Sequence, residues 1–183
     1  MVNQTPGGGT PTDAERLSQT SDEAKSGWER AVQDMRAMAA DREEKEFSTV
    51  TIAAGDTSPV APEMGDTDEF GLSYIIPGNT VEEFEEAYLG NDFTETGVYQ
   101  TSSAGHVYIV TECIDVNAEE IVFIAGVYQK RHAAPLVRAA TERGTMFTRV
   151  KTLDHTEVGV FEHDDVAAFF PNPDEFYAYE VDR

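Results

Sequence analysis

The chain has 183 residues, 35 acidic against 13 basic side chains, a formal charge of −22 and 10% aromatic residues. That aromatic content, with long apolar runs after residue 70, excludes a disordered solvating protein, and the length suits one domain with a sizeable core. The single cysteine, Cys113, excludes an intramolecular disulfide and fits a reducing interior.

Dense like charge costs little where salt is molar, because the Debye length there falls to about 3 Å. The acid excess therefore points to the cytoplasm of a halophilic archaeon. Residues 1–12 lack the basic start and apolar core of a signal peptide, and no apolar run reaches the roughly 20 residues that span a bilayer. A cytoplasmic protein away from membranes is expected.

In chain order, residues 1–20 are rich in Gly, Thr and Pro and are expected to be a disordered N-terminal tail, ahead of one domain over 21–183. Thr20-x-x-Glu23 reads as a capping box opening a helix over 21–45, with Trp28, Ala31, Val32, Met35, Met38 and Ala39 on one apolar stripe. Residues 47–54 predict a strand, stopped by Gly55-Asp56-Thr57-Ser58-Pro59, and 59–69 predict a loop. A strand over 71–76 ends at Pro77-Gly78. A second capping box, Thr80-x-x-Glu83, opens a short helix that buries Val81, Phe84, Ala87 and Tyr88, with Gly90 as left-handed cap.

Three strands follow over 94–102, 106–114 and 120–128. Their short connections predict antiparallel hairpins. The last two are apolar on both alternating faces, which places them inside a covered sheet. Pro135 suits the first turn of a helix ending at Gly144. Residues 146–153 and 158–162 form a hairpin about Asp154-His155-Thr156. Asp164 or Asp165 caps a short helix stopped by Pro171, and 176–181 read as an edge strand open to strand addition. The order predicts an α+β fold, a mostly antiparallel sheet of about six to seven strands with three to four helices packed on it.

Several phrases in this order, namely Trp28 with the Met35/Met38 stripe, Ala54-Gly55-Asp56, Gly71-Leu72-Ser73-Tyr74-Ile75-Ile76-Pro77 and Phe169-Phe170-Pro171, resemble haloarchaeal proteins grouped as a family of unknown function. The resemblance spans about residues 21–171. Its phrases are structural, and it implies no activity and no functional residue.

The common phosphate-binding, dinucleotide, zinc-protease and nucleophile-elbow motifs are absent, so no cofactor is expected. The salient feature is a basic segment over 130–151 holding Lys130, Arg131, Arg138, Arg143, Arg149 and Lys151 with a single acid, Glu142. No Lys or Arg occurs between Glu46 and Gln129. Lys130, Arg131 and His132 fall at a strand-to-helix junction, where cations oppose the helix dipole and call for negative charge nearby. The candidates are the protein's own carboxylates, such as Glu82, Glu83, Glu85 and Glu86, an acidic partner, or a small anion. Duplex nucleic acid is disfavoured, since counterion release fades in molar salt and the rest of the chain is acidic.

His155, His163, Asp164 and Asp165 make a weak zinc candidate, against which a turn and a helix cap explain the same residues, so no metal is expected. Asp66-x-Asp68-Glu69 lacks the remaining spacing of a calcium loop. Cys113 shares a strand face with Val107, Ile109 and Thr111 and reads as a buried small hydrophobe. Glu112 lies on the opposite face with His106, Tyr108, Val110 and Ile114. A carboxylate there is a proton carrier, an edge-of-sheet Glu, or one paired with an arginine of the basic segment.

The expected function is a non-enzymatic interaction or regulatory module. Its basic segment, through Lys130, Arg131, His132, Arg138, Arg143 and Arg149, would meet an acidic protein partner or a second copy. The alternative is a binder of a small anion, or an enzyme on an anionic substrate, using Lys130, Arg131 and His132 with Glu112 or His106.

Overall fold

The computed structural model describes residues 13–64 and 69–180. A long helix, α1 (Asp13–Glu44), leads into strands β1 (Ser48–Ala53), β2 (Asp56–Val60) and β3 (Gly71–Ile75). Helix α2 (Val81–Tyr88) precedes the meander β4 (Glu95–Ser103), β5 (His106–Asp115) and β6 (Glu120–Gln129). Helix α3 (Ala134–Arg143) leads to the hairpin β7 (Met146–Lys151) and β8 (Glu157–His163), then to short helices α4 (Val166–Phe169) and α5 (Asp174–Tyr177).

These strands form two four-stranded sheets, ordered β1-β6-β5-β4 and β2-β3-β7-β8. Each is mixed: β1 joins β6 and β3 joins β7 in parallel, while the other neighbours are antiparallel. The fold is thus mixed α+β with four of six strand pairings antiparallel. The expected single sheet of six to seven strands with three to four helices is corrected to two sheets with eight strands and five α-helices among the described residues. The cause is local. The meander and the β7–β8 hairpin close through short turns, whereas the parallel pairings join strands far apart in sequence.

Residues 56–60, which fall in the expected stop over 55–59 and the start of the expected loop over 59–69, form the edge strand β2. Pro59 is tolerated there because an edge strand has backbone positions that no ladder bond needs.

The sheets meet face to face over one apolar core that includes Ile52, Leu72, Tyr74, Val107, Ile109, Val122 and Ile124, closed by residues of α2, α3, α4 and α5. Gly126 sits where they come closest. A Cβ there would lie 2.4 Å from the Thr57 hydroxyl and 2.6 Å from the Tyr74 ring, so glycine sets the sheet separation. A second apolar cluster lies on the outer face of the first sheet, where Met35 and Ala39 of α1 meet Val110, Ile121, Phe123 and Ala125, with Trp28, Val32 and Met38 beside them. β5 and β6 are buried on both faces, as their double apolar alternation implies.

Helix ends depart from expectation in three places. α1 begins at Asp13, so Thr20 lies inside the helix and its box is not the start. Thr80 precedes α2 without capping it, because its hydroxyl instead donates to the Pro77 carbonyl at 2.6 Å. Residues expected as an edge strand over 176–181 are helical as far as Glu180, in α5 and a following 3-10 turn. Pro173, Asp174 and Glu175 supply a helix start there. Two others agree: the Asp165 carboxylate accepts from the Ala168 amide, and Gly144 ends α3 in the left-handed region at φ 69°. Among the described residues, no helix is long and apolar enough to cross a membrane.

Candidate functional site

Three of the six cations of the basic segment, Lys130, Arg138 and Arg149, pair with the protein's own acids. Lys130 Nζ donates to Glu175 at 3.3 Å and lies 5.9 Å from the Phe176 ring centroid. Arg138 forms a two-pronged pair with Glu180, one N–H···O distance being 2.9 Å, and its guanidinium sits 5.1 Å from the Tyr177 centroid. Glu180 holds the Arg138 guanidinium more firmly protonated than usual.

Arg149 bonds Glu157 across the β7–β8 hairpin at 2.6 Å, and Arg143 stacks 4.9 Å from the Phe70 centroid. The partners are therefore Glu157, Glu175 and Glu180 rather than Glu82, Glu83, Glu85 or Glu86. The helical turn of the C-terminal segment carries two of them, which explains why a strand there misdirected the expectation. Arg131 and His132 are exposed in the 3-10 turn that precedes α3.

Glu112 is buried beneath α1 and accepts from Arg42 Nε at 2.9 Å. Arg42 belongs to the helix, not to the basic segment, so the expected island partner is corrected. Arg42 also bonds Asp41 at 2.5 Å and donates to the Tyr99 hydroxyl at 3.3 Å. The Glu112 carboxylate raises the Arg42 pKa, opposed by partial burial. A buried carboxylate fixed on a guanidinium serves as a structural anchor. His106 lies at the far end of the same strand, six residues or roughly 20 Å away, so the two do not form one site.

Cys113 is buried in the intersheet core, where desolvation, helped by the Glu112 charge, pushes its thiol pKa up and disfavours the nucleophilic thiolate. Tyr74 and Tyr128 are likewise pushed up by burial, and the Tyr128 hydroxyl has no hydrogen-bond partner among the described residues.

His163 closes the open edge between the two sheets. Its Nδ1 lies 2.9 Å from the Thr96 hydroxyl on β4 and its Nε2 2.7 Å from the Thr148 hydroxyl on β7. Either hydroxyl can donate or accept, so the neutral ring is satisfied at both nitrogens. Burial lowers its pKa to about 4, which keeps it neutral at neutral pH. Among the described residues its two ring nitrogens are held by threonine hydroxyls and by no carboxylate. Its alternation with buried Phe161 along β8 was the available sign that it points inward.

His155, in the β7–β8 turn, is at the other end of that strand from His163, and among the described residues no cluster could hold a metal ion. Most of the Asp66-x-Asp68-Glu69 phrase lies outside the described residues.

What sequence reasoning missed is a groove of about 720 Å³ between α1 and the strands β4 and β5. No residue of 130–151 lines it, nor the smaller cavity of about 160 Å³ beside His163. The helix packs over β1, β6 and β5 and leaves β4 beyond it. Tyr108 forms part of the floor. A Cβ at Gly27 would lie 2.6 Å from its ring, so the glycine lets the helix backbone pass directly over the aromatic face. Burial pushes the Tyr108 phenol pKa up, and the Glu23 carboxylate adds to it.

Asp22, Glu23 and Asp34 stand along the helix wall with Arg30, and none of those three acids enters an ion pair formed by the described residues. On the opposite side the lining includes every residue from Tyr99 to Ser103. Successive strand residues point to opposite faces, so the lining takes in main-chain atoms of the terminal strand β4 as well as its side chains.

The sequence matches the model of a family of unknown function, DUF7529, over residues 14–171, and the chain belongs to that family. No curated protein and no solved structure matches it.

Proposed function

For this member of a family of unknown function, we propose a non-enzymatic interaction module of the salt-rich cytoplasm of a halophilic archaeon. The carrying observation is the groove between α1 and β4, of a volume suited to a bound segment or ligand. Asp22, Glu23 and Asp34 on its wall enter no ion pair formed by the described residues, whereas Lys130, Arg138 and Arg149 of the basic segment do. The habitat rests on the charge of −22, which is tolerable where salt screens it.

A partner surface on the basic segment keeps exposed Arg131 and His132, but three of its other cations already serve internal pairs. A small-anion or enzymatic site at Lys130, Arg131 and His132 has less behind it: Lys130 is held by Glu175, and Glu112 lies under α1 on Arg42.

The test is capture from native cell extract at the cell's own salt. Bait proteins would be the wild type, an Arg131→Glu/His132→Glu variant, and a Thr101→Lys/Ser103→Lys variant altering exposed positions in the groove. A partner retained by the first two and lost by the third is expected. Loss with the Arg131/His132 variant instead would return the contact to the basic segment. Turnover of a bound small molecule by the wild type would overturn the non-enzymatic assignment.

A further inference from the structure

We propose that the groove takes an extended, Lys- or Arg-bearing peptide segment that adds as a fifth strand to the free edge of β4. This rests on the interaction module proposed above and names its partner class. β4 is the terminal strand of its sheet and pairs with β5 over nine residues without a register break. Its outer edge therefore offers a regular row of backbone N–H and C=O groups for an incoming strand.

Natural edges are blunted by brevity, proline, lysine or a bulge. β2 has five residues and Pro59, and the β7–β8 ladder is irregular at Val150/Lys151. β4 has no proline, lysine or bulge and is nine residues long. α4 meets it on the face of Gln100, whose Nε2 donates to the Ala168 and Phe169 carbonyls, opposite the face towards α1. No Lys or Arg lies anywhere between Glu46 and Gln129.

Charge selects the occupant. Side chains on one face of an added strand would rise towards α1, where Asp22, Glu23 and Asp34 outnumber Arg30. Tyr99, 41% exposed, presents an aromatic surface to a cation beside them. A second copy of this chain, at −22, carries its cation-rich segment 130–151 already folded into α3 and the paired strand β7, where it cannot add as a strand. The segment of residues 1–12 has no Lys or Arg and contains Pro6 and Pro11, which cannot donate to a ladder. In molar salt, long-range steering is screened, so backbone hydrogen bonds and apolar contacts hold the strand while the acids discriminate at contact distance.

The test is calorimetry in molar KCl with the whole protein and four probes. These are a capped peptide matched to β4 in length and alternating Lys with Val, its Glu-for-Lys twin, the Lys peptide N-methylated at alternate amides, and tetramethylammonium. The Lys peptide is expected to bind, with slowed amide hydrogen exchange at 99–103. The Glu and N-methylated twins should each bind at least about tenfold more weakly. A Glu23→Gln/Asp34→Asn variant, altering exposed side chains only, should lose about tenfold for the Lys peptide while keeping its circular dichroism.

Equal binding of the N-methylated twin, or tetramethylammonium binding as tightly as the peptide, would overturn strand addition. Equal binding of the Glu twin would overturn the acid selection. A dimer by light scattering that excludes every probe would assign the groove to a second copy. If no peptide binds while captured partners still depend on Thr101 and Ser103, this inference fails and the interaction module stands. If capture ignores the groove as well, both fail.

Discussion

The two faces of the β1-β6-β5-β4 sheet receive different treatment from the same alternating strands. The inner face meets the second sheet across an apolar core so close that Gly126 admits no side chain. The outer face meets one helix, which covers β1, β6 and β5 with a smaller apolar cluster and anchors itself through Arg42 on Glu112. The inner face is covered out to β4 by the second sheet together with α4, onto whose carbonyls Gln100 donates, whereas one helix, about 10 Å across, covers two to three strands of the outer face. The uncovered margin at β4 is the geometric origin of the groove.

The largest effect should come from breaking the polar anchor of the outer face. Arg42→Ala strands the Glu112 carboxylate under α1 and should cost about 3–5 kcal/mol, read by denaturant unfolding at molar salt. Glu112→Gln, which removes the charge itself, should cost less. If the two variants were equal, the anchor would be packing rather than charge. Arg138→Ala, which breaks an exposed pair, should cost far less than either.

The next effect is a pH dependence at the edge between the two sheets. His163 has a folded pKa of about 4 against an ordinary value of 6.5, because burial disfavours its charge. Between those values the unfolded chain binds the proton and the folded one does not. Stability from this group is therefore full above pH 6.5 and is lost as pH falls towards 4, by about 3 kcal/mol in all. Unfolding curves of wild type and His163→Asn across that range should converge as pH falls. Parallel curves would show that His163 is not the titrating group.

Glycine substitutions compare the faces directly. Gly126→Ala drives a methyl into Thr57 and Tyr74 between two sheets and should cost about 3 kcal/mol. Gly27→Ala meets Tyr108 beneath a helix that can lift, and should cost nearer about 1 kcal/mol while narrowing the groove. Thermal unfolding of the pair checks the order. The smallest effect is expected for Tyr128→Phe. Removing a buried hydroxyl that has no partner among the described residues should leave stability within about 0.5 kcal/mol, or raise it.

Much of the fold was legible in local pattern. Short turns marked the β4–β5–β6 meander and the β7–β8 hairpin, and period-2 alternation put Cys113 and Glu112 on opposite faces of β5. Pro135, Gly144 and Asp165 marked helix ends. The site was less legible. Arg42 and Glu112 meet across 70 residues, and Arg138 and Glu180 across 42. No local spacing announces such pairs.

The sequence by itself determined the acid excess, the alternating faces of β5 and β6, the amphipathic stripe of α1 and the isolation of the cations at 130–151. These follow from residue identity and from backbone periods that act over a few positions. Only the tertiary structure decided which cations are answered by which acids, that β1 and β3 pair in parallel with distant strands, and that α1 stops short of β4. Those outcomes depend on how much of a sheet one helix can cover and on which surfaces the chain brings together.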